Sequence, residues 1–281
     1  MIKLFRNIPN FKGKGKIARY LIGNSIYRKK DITISGKHGC EYILPNIIEN
    51  IGFEIYVNGQ YEPETINLIS SLLPINGNFI DIGANIGSIV IPICKQRIDI
   101  NAMAVEASPW IFNYLRSNVE INKITNLKII NNVLLNKDNE ILEFFAPKDK
   151  FGKGSLISVF TAESEKIISK TLDSLVREFS ISPIDVIKVD VEGYEYFVFK
   201  GAEKILKSNK APYIIFEFVD WAEQIAPGTN VGDAQDLLLT LGYKLFAIDK
   251  RNKTEITQSI KAGTFNILAV PPNRIKEFKE M

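Results

Sequence analysis

The sequence predicts an α/β protein, an open and mostly parallel sheet with helices on both faces, and three observations carry that prediction. The apolar pair Phe79-Ile80 runs into Asp81-Ile82-Gly83-Ala84-Asn85-Ile86-Gly87, a glycine-punctuated turn from which residues 88–96 can continue as a helix. A second strand-like run, residues 101–105, ends in Glu106. Two later apolar runs, 184–189 and 213–218, also finish among carboxylates: Asp190, Glu192 and Glu217. In an open parallel sheet ligands bind outside the carboxyl ends of the strands, so Asp81, Glu106, Asp190 and Glu217 are expected at one crevice.

The remaining elements follow in order. Residues 64–73 place Ile66, Leu68, Ile69 and Leu72 at helical spacing, closed by Pro74 and the turn Asn76-Gly77-Asn78. Ser108-Pro109 reads as an N-cap with proline in the first turn, opening a helix that carries Ile111, Tyr114, Leu115 and Val119. A third strand is expected over 127–135, and the polar turn Lys137-Asp138-Asn139 leads to 141–145, read as a hairpin addition. Residues 147–165 are rich in Gly, Lys and Ser and lack periodicity, which fits a loop beside the site or a disordered connector. Tyr196, Val198 and Phe199 belong to a helix after Gly193. Residues 243–248 and 265–270, with no helix-length segment between them, suggest an antiparallel pair at one side of the sheet.

With 46% hydrophobic and 24% charged residues, 281 residues are enough for a full core, which excludes a disordered chain. The expected organisation is a basic extension over 1–60, a candidate cap on the acceptor side, followed by one domain over 61–281. No apolar run approaches the ~18–20 residues a bilayer requires, and the N-terminus lacks a secretory apolar region, so a cytoplasmic protein is expected. Cys40 and Cys94 form no C-x-x-C pair, and Cys94 reads as a small core residue. His38 alone cannot build a histidine metal site or a triad, and reads as a surface histidine. No metal is predicted.

The net charge of +3 conceals an asymmetry. Nine of the 35 basic residues (Lys3, Arg6, Lys12, Lys14, Lys16, Arg19, Arg28, Lys29 and Lys30) precede the first acidic residue, Asp31, so the remainder is mildly acidic. Such an arm, with Ile17, Tyr20 and Leu21 between its charges, suits an anionic membrane surface or an acidic partner, or is a solvated terminus. Aromatic residues are not interleaved with the basic ones as nucleic-acid binding would want.

The turn discriminates between cofactors. A dinucleotide fingerprint, G-x-G-x-x-G, brings backbone amides to a pyrophosphate. Here the pattern is D-x-G-x-x-x-G, and Asp81 would repel phosphate. An acidic rim suits S-adenosylmethionine, which bears an ammonium and no phosphate, with Asp81 acting on the ammonium directly or through water and Glu106 on the ribose hydroxyls. The alternative is an ordinary glycine turn without a ligand.

These residues resemble the class I S-adenosylmethionine-dependent methyltransferases, and within them the FkbM family, over roughly residues 52–270. Gly59-Gln60-Tyr61-Glu62-Pro63-Glu64, the glycine turn, Glu106-Ala107-Ser108-Pro109, Gly154-Ser155-Leu156 and Thr171-Leu172-Asp173-Ser174-Leu175 contribute. The block Ile187-Lys188-Val189-Asp190-Val191-Glu192-Gly193-Tyr194-Glu195 is the most specific. The resemblance implies a Rossmann-like seven-stranded sheet with the last strand antiparallel, and methyl transfer to an oxygen of a sugar or polyketide-like acceptor. It also implies that Asp81, Gly83, Ala84, Asn85 and Gly87 line the methionine end, that Glu106 with Ala107 serves the ribose, and that Asn132 and Val133 lie near the adenine. Asn136 and Asn139 depart from the family's hairpin turn.

With no histidine base available, Asp190 or Glu192 is expected to accept the hydroxyl proton, with Lys188 tuning the neighbouring carboxylates. Alternatively Asp190 holds the cofactor and Glu192 and Glu195 bind backbone amides, while Glu217 is structural or acceptor-binding. O-methylation of a glycan, glycolipid or secondary metabolite is the expected reaction. Methylation of nucleic acid or protein, and a non-catalytic module of a glycan-assembly complex, are the alternatives; the chain has no D/N-P-P-Y/F motif and no Pro-Cys pair.

Overall fold

The computed structural model describes residue 8 and residues 13–27, 29–249 and 252–280. Of the basic arm, Lys3, Arg6, Lys12 and Arg28 lie outside the described residues. Helix α1 (Lys14–Tyr27) sets Ala18 against Phe53 and Val57 and the Arg19 guanidinium over the Phe53 ring, while Ile17, Tyr20 and Leu21 stay exposed. The hairpin β1 (Ile32–Ser35) and β2 (Glu41–Leu44) follows, joined by a single 3-10 turn that holds the exposed His38. Helices α2 (Asn50–Asn58) and α3 (Pro63–Leu72) lead into β3 (Asn78–Ile82), α4 (Val90–Gln96), β4 (Asn101–Glu106), α5 (Pro109–Ile121) and β5 (Leu127–Asn131).

A short excursion then builds β6 (Val133–Leu134), β7 (Ile141–Phe144) and β8 (Glu165–Lys170) before α6 (Leu172–Phe179) and β9 (Val186–Val189). After α7 (Glu195–Lys200) and α8 (Glu203–Leu206) come β10 (Tyr213–Val219), α9 (Asp220–Ile225) and α10 (Asp233–Thr240). The chain closes with β11 (Lys244–Asp249), β12 (Asn252–Ile256), β13 (Thr264–Val270) and α11 (Ile275–Glu280).

The main sheet has the order β12-β11-β13-β10-β9-β3-β4-β5. Its five strands from β10 to β5 are mutually parallel, and β13 runs antiparallel between β10 and β11. The seven expected strands are present with the last one antiparallel; β12, an antiparallel partner of β11 at the edge, makes eight among the described residues. The connections leave β3 toward β4 on one side and β9 toward β10 on the other, so the topology switches between β3 and β9.

Period-two alternation divides the core into two layers. Phe79, Ala102, Ala104, Val186 and Ile215 face one side, with buried residues of α3, α4 and α5; Ile80, Ile82, Met103, Val105, Ile187 and Phe216 face the other, with α6, α7 and α10. Tyr42, Leu44, Ile47, Ile51 and Ile55 belong to the first layer, so the segment read as an extension is packed into the domain core from the first hairpin onward. Cys94 and Cys40 are both buried there as free thiols.

Two expectations are corrected. The strand expected over 127–135 breaks at Asn132, because β5 ends where the Asn131 amide donates to the Glu106 and Ala107 carbonyls, and β6 turns away to run parallel with β8. Residues 141–144 do not form a hairpin with β6; β8 lies between them, antiparallel to β7. The turn is diverted by Asp138, whose carboxylate accepts from Thr171 N (2.6 Å) and Ser174 Oγ (2.6 Å) and so ties it to the start of α6.

Candidate active site

The crevice lies at the carboxyl ends of β3, β4 and β9. Past Ile82 the chain takes Gly83 into the left-handed region (φ 75°), and a Cβ there would stand 1.8 Å from the Asp190 carbonyl oxygen. Glycine thus lets the turn close onto the neighbouring strand at the switch point. Gly83 N and Ala84 N both donate to the Val105 carbonyl, which locks the turn to β4. Asn85, also left-handed (φ 52°), donates its backbone N–H to Glu106 Oε2 (2.8 Å) and its side-chain amide to the Phe151 carbonyl (2.9 Å). At Gly87 (φ 86°) a Cβ would meet Ile91 and Leu115, so this glycine serves helix packing.

Glu106 is buried, and its other oxygen accepts from Ser108 N (2.8 Å). Burial pushes this carboxyl up to about 7 against the pull of the two N–H donors. Around it opens a concave crevice. Its wall includes Gly83, Asn85, Glu106, Ala107, Asn132, Val133, Asp190 and Glu192, with an apolar lining from Val105, Ile111, Leu134 and Phe144. Asp81, Ala84, Gly87 and Lys188 stand outside that wall. Asn132 donates its amide to the Ile168 carbonyl at 2.9 Å. The irregular segment proves to be a loop beside the site; it contributes Gly154 and Leu156, already marked by the resemblance, and Phe151 and Gly152, which sequence reading missed. Phe151 is fully buried and anchors the loop.

Asp81 is buried in the first core layer, on the same face as Phe79, and neither of its oxygens has a hydrogen-bond partner. Lys188 Nζ lies between it (3.7 Å) and Asp190 (3.2 Å). Burial raises Asp81 to about 6, with Lys188 opposing; burial alone would lower Lys188, but Asp190 and Asp81 outweigh it and hold that ammonium above its ordinary value. Lys188 is thus a fixed cation that holds Asp190 at the cavity wall.

The Asp190-Val191-Glu192-Gly193 turn has its own logic. Glu192 is left-handed (φ 52°), and a Cβ on Gly193 (φ 96°) would stand 2.4 Å from backbone atoms of Ala222, so the turn packs directly on α9. Buried Glu195 secures it by accepting from Val191 N (3.0 Å). Glu192 pairs with Lys153 of the loop (2.7 Å), yet burial and Asp190 still raise it to about 7. Asp190, Glu192 and Glu217 each bring a carboxylate oxygen within 4.8 Å of the others, the set among the described residues with the geometry for a metal ion. Glu217 is raised to about 8 by burial and by Asp190 and Glu192 against the pull of Lys153, and among the described residues its side chain has neither a hydrogen-bond nor an ion-pair partner.

A mostly parallel sheet with its antiparallel strands gathered at one side and a carboxylate-lined crevice at its switch point defines a Rossmann-like class I methyltransferase fold. Residues 81–245, more than half of the chain, match the Methyltransferase FkbM domain. The chain therefore belongs to the FkbM methyltransferase domain family, whose methyl donor is S-adenosylmethionine.

Solved structures similar to this chain include a precorrin-6y C5,15-methyltransferase from Geobacter metallireducens, at 13% identity, 75% of this chain, 93% of that one and a TM-score of 0.44. Another is M. jannaschii TYW2 in complex with AdoMet, at 17% identity, 86% of each chain and a TM-score of 0.42. A third, SMU.1697c, a putative methyltransferase from Streptococcus mutans in complex with SAH, shares 10% identity over 73% of this chain and 95% of that one, with a TM-score of 0.42. No curated protein matches the chain.

The cavity suits this donor. Two N–H donors leave lone pairs on the Glu106 carboxylate that hydroxyls could fill, Val133, Leu134 and Phe144 line an apolar side, and Asp190 adds a carboxylate to the wall.

Proposed function

We propose that the protein transfers a methyl group from S-adenosylmethionine to a hydroxyl of a sugar in a glycan or glycolipid, or of a secondary metabolite. The observation that carries this reading is the carboxylate trio, of which Asp190 and Glu192 stand in the cavity wall: Lys188 pairs with Asp190, Lys153 pairs with Glu192, and Glu217 beside them is available to take a proton.

The donor supplies an electrophilic methyl on a positively charged sulfur. The protein's part is to align an acceptor oxygen with that methyl and to remove the hydroxyl proton as the new C–O bond forms, while the C–S electron pair stays on sulfur. A carboxyl held near neutrality can exchange that proton at physiological pH, and Glu192 and Glu217 are both in that range. Lys188, held above its ordinary value by Asp190 and Asp81, stays charged, and its ion pair with Asp190 orients rather than reacts. The buried Asp81–Lys188 pair fixes that arrangement from behind.

The test is transfer of labelled methyl by the full chain to carbohydrate, small-metabolite, RNA, DNA and protein fractions offered together. Label recovered in carbohydrate or metabolite as an alkali-stable ether is the expected result. Label in RNA, DNA or protein overturns the hydroxyl reading, and no transfer to any fraction favours a binding module.

A further inference from the structure

The loop over the site and the helix after β10 meet in an aromatic corner that does not line the cavity. Phe160, on the loop over the site, and Trp221, in the first turn of α9, meet edge to face with ring centroids 6.0 Å apart at 86°. Both are exposed, at 41% and 39%, as is Val159. Lys150 Nζ stands 5.1 Å from the Phe160 ring. Large aromatic side chains are expensive to leave in water, and here two meet in the open.

Their place in the chain links them to the chemistry. Trp221 is four residues after Glu217, just beyond the end of β10, on the edge of the sheet where the cavity opens. The loop that carries Phe160 also carries Lys153, bonded to Glu192, and Phe151, which receives the Asn85 amide. One loop is thus pinned at the cofactor turn, at the carboxylates and at Trp221.

The size of the patch selects the occupant. Two rings, each about two-fifths exposed, offer on the order of 150 Å² of aromatic surface. A stable protein interface needs about 800 Å² per partner, so a protein partner is far too large for this corner. One saturated ring with C–H groups on one face and hydroxyls on its edge fits: the face lies on an aromatic ring, and a free carboxyl accepts from a hydroxyl.

We propose that Phe160 and Trp221, with Glu217, form the acceptor subsite and take a pyranose ring. This rests on the hydroxyl-methylation reading above and names its substrate class.

The experiment is saturation-transfer NMR on the full chain with S-adenosylmethionine present, using a set of methyl hexopyranosides as probes. Trp221→Ala, Phe160→Ala and Trp221→Phe are compared with the unmodified protein, and donor affinity is measured for each by calorimetry as the check on folding. Saturation of ring C–H protons is expected with the unmodified chain. Affinity should fall about tenfold in each alanine variant and be largely restored in Trp221→Phe, with donor affinity kept within about twofold. Equal pyranoside binding by the alanine variants, or none by an unmodified chain that binds the donor, overturns the subsite. Failure of the unmodified chain to bind the donor removes the methyltransferase reading itself.

Discussion

Lys188 pairs with Asp190 and Lys153 with Glu192, and Glu217, without an ion pair among the described residues, keeps its proton to a higher pH than Glu192. Replacing Glu217 with Gln should lower kcat/KM by about a hundredfold or more. It should also remove the rise in rate as pH increases through about 8, where the native carboxyl loses its proton. An unchanged pH–rate profile would assign the proton transfer elsewhere. The same residues fix the sign of the pH dependence of stability. Glu106, Glu192 and Glu217 have folded values of about 7, 7 and 8 against 4.5 for an ordinary glutamate, so between these limits the folded protein holds more protons than the unfolded chain. Stability therefore falls as pH rises through that window. Thermal melts of the donor-free protein should give a higher Tm at pH 5 than at pH 8, and the opposite slope would contradict the buried carboxylates.

At the scale of elements, the glycine turn, the Ser108 cap and the Asp-Val-Glu-Gly turn were legible in the sequence because each meets a local demand: a positive φ, an N-cap acceptor, a close backbone approach. The loop residues Phe151 and Phe160 were not, since their partners lie far along the chain and leave no periodicity. The inward direction of Asp81 could have been read, because it is two residues from Phe79 in a strand where alternate residues share a face. Long-range polar contacts were invisible too. Asn118 on α5, fully buried, accepts from Ile43 N (2.7 Å) and donates to the carbonyls of Ile43 and Ile86, joining β2 to the glycine turn. Asn118→Ala strands those backbone groups in the core and should cost about 2–3 kcal/mol, measured by urea unfolding with the donor absent. A cost near zero would mean that the hairpin is not coupled to the turn.

For the molecule as a whole, the segment from the first hairpin through α2 is part of the core. Leu44, Ile47 and Ile55 are fully buried in the layer that contains Phe79 and Val186, so removing residues 1–60 opens one face of the sheet. That shortened chain should be insoluble or lack a cooperative melt; a folded product that binds donor would show the segment to be dispensable. Among the described residues no helix is long and apolar enough to cross a membrane. The central claim is that the crevice between β3, β4 and β9 holds S-adenosylmethionine, and calorimetric titration of the full chain beside Gly83→Val and Glu106→Ala tests it most directly. Saturable one-to-one binding by the native chain, lost in Glu106→Ala while its fold persists by circular dichroism, is the predicted result. Binding by Glu106→Ala indistinguishable from the native chain would contradict it.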